Sequence, residues 1–376
     1  MNKAGIYLHI PFCKTKCIYC DFYSVTKKDD SIPHFIKCII KEIELNKNKI
    51  LDHQFDTIFF GGGTPSVLTP KQLEQILNAL YKNYNITKDA EISLECNPGE
   101  VNYEKLKDFH SLGLNRLSIG FQSFNDKLLK FLGRLHTSEQ SISTFNDARK
   151  AGIDNINTDL IYDIPKQLVR EWKNDLFLVN ALNPEHISAY SLTVEKNTVL
   201  HSMVRKKMTI MPSEKIDKKM FLETIEFLEK NNYNHYEISN FSKKDMECKH
   251  NLHYWRMKPY LAFGPGAHGF DGSKRWWNKR SLEHYLSSLE KDILPIEQYE
   301  ILTEKNSFNE LIMNGLRLRE GVNVNLLKKL IDIDVNKHIK TYQKKWSYLQ
   351  YKNDNLSLKK EGLLFTDEII ADLFLI

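Results

Sequence analysis

Through the first two thirds of the chain, short β-type runs alternate with longer stretches whose apolar residues recur at spacings of three and four. The short runs predict strands at 5–10, 56–62, 91–96, 116–121, 156–161 and 186–192. Between them, 32–47, 69–84, 102–113, 137–152 and 170–183 read as helices, several opening on Thr, Asn or Ser and stopping at Gly. Repeated strand–helix–strand units with short links imply parallel strands joined by right-handed crossovers, with helices on the outer face. The fold class is therefore α/β, either an open sheet or an incomplete barrel. In both, chemistry collects beyond the strand C-termini.

The polar and glycine-rich segments follow this expectation. A cysteine cluster comes after the first strand, GGGTPS (61–66) after the second, and ECNPG (95–99) at the end of the third. Gln122 follows the fourth strand, Asp159 lies in the fifth, and Arg134 belongs to the intervening GRLH. One sheet edge is expected to gather them all. Farther on, 212–233 reads as a long helix leading into a block at 235–270 dense in His, Tyr and Trp, and from about 295 the pattern changes to short amphipathic helices. The expected division is 1–292 and 293–376, the latter a small, mainly helical, winged-helix-like domain whose closing segment, 356–376, could supply a β-hairpin wing.

Composition narrows the function classes. Of 376 residues, 41% are hydrophobic and 27% charged, and no apolar run approaches a membrane span, so an integral membrane protein is not expected. The start, MNKAGIYLHIPF, lacks the pattern of a secretory signal, which points to the cytoplasm. A net charge of +5 comes from scattered lysines with no aromatic-interleaved basic stripe, so no nucleic-acid partner is expected.

Three of the six cysteines stand together in CKTKCIYC: Cys13, Cys17 and Cys20. In a reducing compartment such clustered thiols suggest a metal rather than disulfides. Three thiolates would hold a 4Fe-4S cluster with one open iron. The competing readings are a zinc knuckle completed by a distant His or Cys, and three unconnected core thiols. Cys38, Cys96 and Cys248 read as structural thiols, Cys248 being also a candidate ligand through its nearness to His250.

YLHIPFCKTKCIYCDF, FFGGGTPS, LECNPG, NRLSIGFQSF, LGRLH and NTDLIYDIP resemble, in order and spacing, the radical SAM domain of the coproporphyrinogen III dehydrogenase-like family. The resemblance covers nearly the whole chain and implies a partial (β/α)6-type barrel, a 4Fe-4S cluster on Cys13, Cys17 and Cys20, and S-adenosylmethionine chelated at the open iron. In that family one electron from the cluster cleaves the cofactor to a 5′-deoxyadenosyl radical. By resemblance, Gly62, Gly63 and Thr64 cradle the methionine amino group, and Tyr7 and the main chain near Tyr19 lie beside the cluster. Glu95, Gln122 and Asp159 contact the cofactor's ribose and methionine ends, and Arg134 pairs with its carboxylate.

Within the family, three features favour the haem-chaperone branch over the decarboxylases. Phe22 stands where a decarboxylase has a cysteine, Tyr7 lies only six residues from Met1, and HNLHYW (250–255) resembles a segment of the chaperones. A neutral imidazole is a common axial ligand of haem, and neighbouring aromatics offer it a flat apolar surface. His250 is therefore the haem-ligand candidate, its competing reading being a hydrogen-bonded histidine in an aromatic core; His253 and His268 are its rivals. The expected partners are haem and haem-requiring acceptors such as respiratory enzymes, including transient contact with membrane-bound ones. Oxygen-independent decarboxylation of coproporphyrinogen III, and a binding module that keeps its cluster only for structure, are the alternatives.

Overall fold

The computed structural model describes residues 2–50 and 52–375. Six parallel strands in chain order form its centre: β1 (Asn2–Ile10), β2 (His53–Gly62), β3 (Ile86–Cys96), β4 (Arg116–Gln122), β5 (Asn155–Tyr162) and β6 (His186–Ser191). A seventh parallel strand, Tyr260–Phe263, pairs with β1, and antiparallel strands at 268–270, 274–278 and 296–301 extend that side. Beyond β6 lies the hairpin of 240–242 and 234–237. The result is a twelve-stranded mixed sheet that curls without closing.

The alternation along each strand explains why this curved sheet is hollow. Ile6, Leu8, Ile58, Phe60, Ile92, Leu94, Leu117, Ile119, Ile156, Leu160 and Ile187 belong to the main hydrophobic core, where the outer helices cover the sheet. Their neighbours one residue along, including Tyr7, Phe59, Glu95, Ser118, Asn157, Asp159 and Ser188, line the concave face, since successive side chains in a strand point to opposite faces. Register puts Tyr7 opposite Phe59, Glu95 opposite Ser118, Ser118 opposite Asn157, and Asp159 opposite Ser188. The polar positions thus form a continuous inner belt.

The helices end where local chemistry dictates. Thr69 and Thr137 make capping boxes with Gln72 and Gln140, and Pro70 occupies the first turn of its helix. Buried Glu42, on the helix Ile32–Leu45, accepts hydrogen bonds from Gly264 N (2.9 Å), Asn278 Nδ2 (2.6 Å) and Tyr285 Oη (2.6 Å), tying the outer strands to that helix.

The C-terminal unit packs helices Glu304–Gly315, Val324–Leu330 and Val335–Lys345 beside a three-stranded sheet at 322–323, 349–352 and 355–358. The hairpin lies at 349–358, so the segment from which the sequence suggested a wing, 356–376, supplies only the end of its second strand. Beyond Leu358 the closing segment is helical, because Ile369, Ile370 and Leu373 recur at helical spacing and bury one face of Thr366–Leu373. Among the described residues no helix is long and apolar enough to cross a membrane.

Candidate functional site

The concave face encloses a cavity of about 1110 Å³ lined by all thirteen residues assigned from the sequence to cluster, S-adenosylmethionine or haem binding, though not by the alternative haem candidates Cys248, His253 and His268. Eleven of the thirteen lie at or near the C-terminal rim of the strands, while Tyr7, in mid-strand, stacks on His250 with ring centroids 6.4 Å apart. His250 lies at the opposite end.

At the rim, Cys13 ends the two-residue strand Phe12–Cys13, paired with Val25–Thr26, and the loop that follows carries Cys17 and Cys20. The loop is fixed by Ile18 N donating to Leu132 O (3.3 Å) and Leu200 N donating to Ile18 O (2.8 Å). Ile18 and Tyr19 pack on a small apolar cluster of Leu128, Leu132, Ile161, Ile164, Leu192 and Leu200. All three thiols are partly exposed towards the cavity. Thr64 Oγ1 donates to Cys13 Sγ (3.4 Å) and Arg134 Nη1 to Cys17 Sγ (3.5 Å), contacts suited to sulfur that carries negative charge. Burial raises the pKa of Cys13 and Cys20, so without a metal both are held as thiols.

Gly63 shows how closely the second strand's loop approaches the first. A Cβ there would stand 2.7 Å from Phe12 O and 3.0 Å from Cys13 Sγ, so only glycine leaves this wall open. Among the described residues no three His, Cys, Asp or Glu side chains are gathered tightly enough to hold a single metal ion. Three partly exposed thiols on one loop beside this wall fit a cluster that takes three protein ligands. After Cys20 the cavity lining continues with Asp21, whose Oδ1 lies 4.0 Å from Arg280 Nη2, and then with Phe22, 68% exposed, which offers no ligand.

The remaining rim residues are already ordered by one another. Arg134 Nη2 donates to Asn97 Oδ1 (2.5 Å) and Gly120 O (3.1 Å), while Asn97 Nδ2 donates to Thr64 Oγ1 (3.0 Å) and Glu100 Oε2 (3.3 Å). Glu95 Oε2 accepts from Gly62 N (3.2 Å), and Asp159 accepts from Ser118 Oγ (2.8 Å) and Asn157 Nδ2 (2.8 Å). Burial, with the neighbouring Asp159 carboxylate, pushes Glu95 up to about 8, and burial raises Asp159 as well. Gln122 sits at φ 65°, a strained conformation for a side chain of its kind and one that clusters at functional sites. Tyr7 Oη lies 3.1 Å from His9 Nδ1, and His9 Nε2 lies 2.8 Å from Tyr23 O, so Tyr7 can donate to a histidine whose other nitrogen donates to a carbonyl.

The floor is the short helix Lys249–Trp255, which plugs the N-terminal ends of the strands. Glu91 holds it there, accepting from Lys249 N (3.1 Å), His250 N (3.2 Å) and the Cys248 thiol (3.7 Å). His250 is buried; Nδ1 meets Thr57 Oγ1 at 2.7 Å, Nε2 meets Tyr254 Oη at 2.8 Å, and the ring stacks on Phe59 with centroids 5.2 Å apart. Burial, with His253 and Arg116 nearby, holds its pKa well below the usual range, so the ring is neutral.

The rivals of His250 sit elsewhere. His253 Nε2 pairs with Asp56 at 2.7 Å beneath the floor, and His268 stacks on Trp277 at the outer strands. The turn before His268 packs behind β1, where a Cβ on Gly264 would stand 2.3 Å from His9 O; it does not close over the cavity. Burial pushes the Cys248 thiol up to about 12. From the sequence, no individual role falls to Asn97, Arg116, Ser118 or Asn157, which also line the cavity, although each lies inside a motif that carries the family resemblance. Only strand register could have found the last three, as inward neighbours of Glu95 and Asp159.

Comparison with known proteins fits this arrangement. The radical SAM superfamily profile matches residues 7–179, and the HemN C-terminal domain profile matches 302–365. The heme chaperone HemW of Lactococcus lactis is 38% identical over 318 residues, covering 84% of this chain and 82% of the relative. This chain belongs to the HemW family. The HemW of Bacillus subtilis is 34% identical over 84% of each chain, and that of Synechocystis is 31% identical over 100% of this chain and 97% of the relative. The coproporphyrinogen III oxidase HemN from Escherichia coli superposes with a TM-score of 0.85 over 99% of this chain and 90% of its own, at 22% identity. That likeness establishes a shared fold with a helical C-terminal domain.

Proposed function

We propose that this chain is a haem chaperone: it binds haem in the cavity and passes it to acceptor haemoproteins, holding a 4Fe-4S cluster on Cys13, Cys17 and Cys20 with S-adenosylmethionine at the cluster's open iron. The carrying observation is that a helix bearing His250 and Tyr254 floors the same cavity whose rim presents the three thiols. Family membership supports the reading from outside.

When bound, the cluster and S-adenosylmethionine supply a one-electron route to a 5′-deoxyadenosyl radical. This chain's own residues would hold them. Gly62, Gly63 and Thr64 would form the open wall against the methionine moiety, Arg134 stands beside Cys17 with its planar fork of donors, Glu95, Gln122 and Asp159 would supply the polar belt, Tyr19 stands on the thiol-bearing loop, and Tyr7 lines the cavity between rim and floor.

For haem, His250 offers a neutral imidazole, the protonation state that a ligand needs. Its Nδ1 is held from within the floor by Thr57, which leaves Nε2 to iron once the Tyr254 hydroxyl turns aside. Phe59 and Tyr7 stack beside it as flat apolar surface. Cytoplasmic haem-requiring acceptors, including respiratory enzymes met at the membrane surface, complete the proposal. The test is haem titration of the anaerobically reconstituted protein and of His250→Ala, followed by transfer to an apo-acceptor. Stoichiometric binding by the parent, lost or much weakened in His250→Ala, is the expected result. No binding by the parent, or sustained protoporphyrinogen formation from coproporphyrinogen III with reductant and S-adenosylmethionine, would replace the chaperone reading.

A further inference from the structure

The cavity wall contains a cation that none of the roles above employs. Arg116 opens β4 and is only 2% exposed, yet its side chain lines the cavity. A guanidinium carries five N–H donors and stays ionised, so burying one without partners is costly. Here Nε has no hydrogen-bond partner, and no carboxylate among the described residues forms an ion pair with the group.

The acids nearest in charge to Arg116 are occupied elsewhere. Glu91 gives both oxygens to the floor helix, accepting from Lys249 N, His250 N and the Cys248 thiol. Asp159 accepts from Ser118 and Asn157, and Glu95 from Gly62 N. The polar chain alongside is closed on itself: Asn157 Oδ1 meets His186 Nδ1 at 2.6 Å, and His186 Nε2 meets Tyr236 Oη at 2.7 Å. What remains is an unpaired buried cation within one cavity with His250 and the aromatic faces of Phe59 and Tyr7.

We infer that Arg116 is the counter-ion for a carboxylate of the cargo, a propionate side chain of the tetrapyrrole that reaches this end of the cavity beside His250. The inference rests on the haem-chaperone reading. Its chemistry is simple: the polar groups of haem are two carboxylates on an apolar disc, and the lower cavity pairs flat apolar surface with a buried guanidinium whose Nε has no hydrogen-bond partner. Charge-assisted contacts of a guanidinium with a carboxylate are the strong kind, more so away from water.

The test compares haem with haem dimethyl ester, whose propionates carry no charge, on the full reconstituted chain and on Arg116→Met and Arg116→Lys. The parent is expected to bind haem at least about tenfold more tightly than the diester. Arg116→Met should bring that ratio close to one, and Arg116→Lys should keep part of it. Equal affinity of the parent for acid and ester overturns the inference, even if Arg116→Met does not fold, and means that solvent serves the guanidinium. An undiminished ratio in a folded Arg116→Met overturns it too. Failure of the parent to bind either porphyrin removes the haem reading and this inference together, whereas haem binding without acid preference removes the inference alone.

Discussion

The rim and the floor of the cavity are built in different ways. At the rim, the groups that matter come from compact segments: CKTKCIYC, GGGTPS and ECNPG at strand ends, and GRLH after the helix Asp126–Leu132. At the floor, Thr57, Glu91, Arg116 and His250 come from four distant stretches and meet only because the strands align in register and a helix closes the barrel end. The rim can therefore be disturbed by changing one loop. The floor is cooperative, and any one change is felt by its neighbours.

The sharpest separation should come from the cysteines. Replacing Cys13, Cys17 or Cys20 with Ser is expected to take iron from four per chain to near none while leaving the fold intact, since these side chains are partly exposed and belong to no apolar core. Iron and sulfide analysis with circular dichroism checks this; a variant that keeps its full iron would break the distinction.

His250→Ala should act in the opposite sense. It removes the bonds to Thr57 and Tyr254 and the stacking on Phe59, so a loss of about 2–4 kcal/mol in chemical denaturation is expected, with iron content unchanged. Were iron lost along with stability, rim and floor would be one unit.

A matched pair of glycine substitutions sharpens the point. In Gly5→Ala the new Cβ would stand 2.9 Å from Thr57 Oγ1 and 3.1 Å from the His250 ring, so a stability cost of about 1–3 kcal/mol with normal cluster loading is expected. In Gly63→Ala the added atom would press on Phe12 O and Cys13 Sγ, and cluster loading should fall at a similar stability cost. Iron content at equal folded fraction distinguishes them.

Taken per pH unit, the smallest effect is the response to pH. Glu95, pushed up to about 8 by burial and Asp159, keeps its proton in the folded protein across a range where the unfolded chain, near 4.5, has released it. Between those values the folded state binds more protons, so stability should fall as pH rises, by at most about 1.4 kcal/mol per pH unit from this group. Urea unfolding between pH 5.5 and 7.5 should show that decline, and Glu95→Gln should flatten its share. An unchanged slope in the variant would assign the decline to other buried acids, Glu42 first among them, which burial raises to about 7.

The same contrast explains what could be read before folding. The strand order, the outer helices and the gathering of rim residues were legible because strand period, helix period and loop punctuation are local signals. Asp159 and Glu95 were found as polar residues in apolar strands. Their inward neighbours Ser118 and Asn157 were not, because a serine or asparagine in a strand carries no signal until register shows which face it shares. His250 stood out as a motif, but neither its two occupied ring nitrogens nor its place at the barrel floor could be inferred, since Thr57 lies 193 positions away. Arg116 was hidden for the same reason. The closing segment was ambiguous because LSL continues a hairpin while EIIADL just beyond it has helical spacing.

The account stands most directly on the state of iron at the rim. Mössbauer spectroscopy of the anaerobically reconstituted, iron-57-labelled protein should show a 4Fe-4S cluster in which one iron site changes its isomer shift when S-adenosylmethionine is added. A spectrum without such a cluster, or one whose four irons are all unaffected by S-adenosylmethionine, would contradict it.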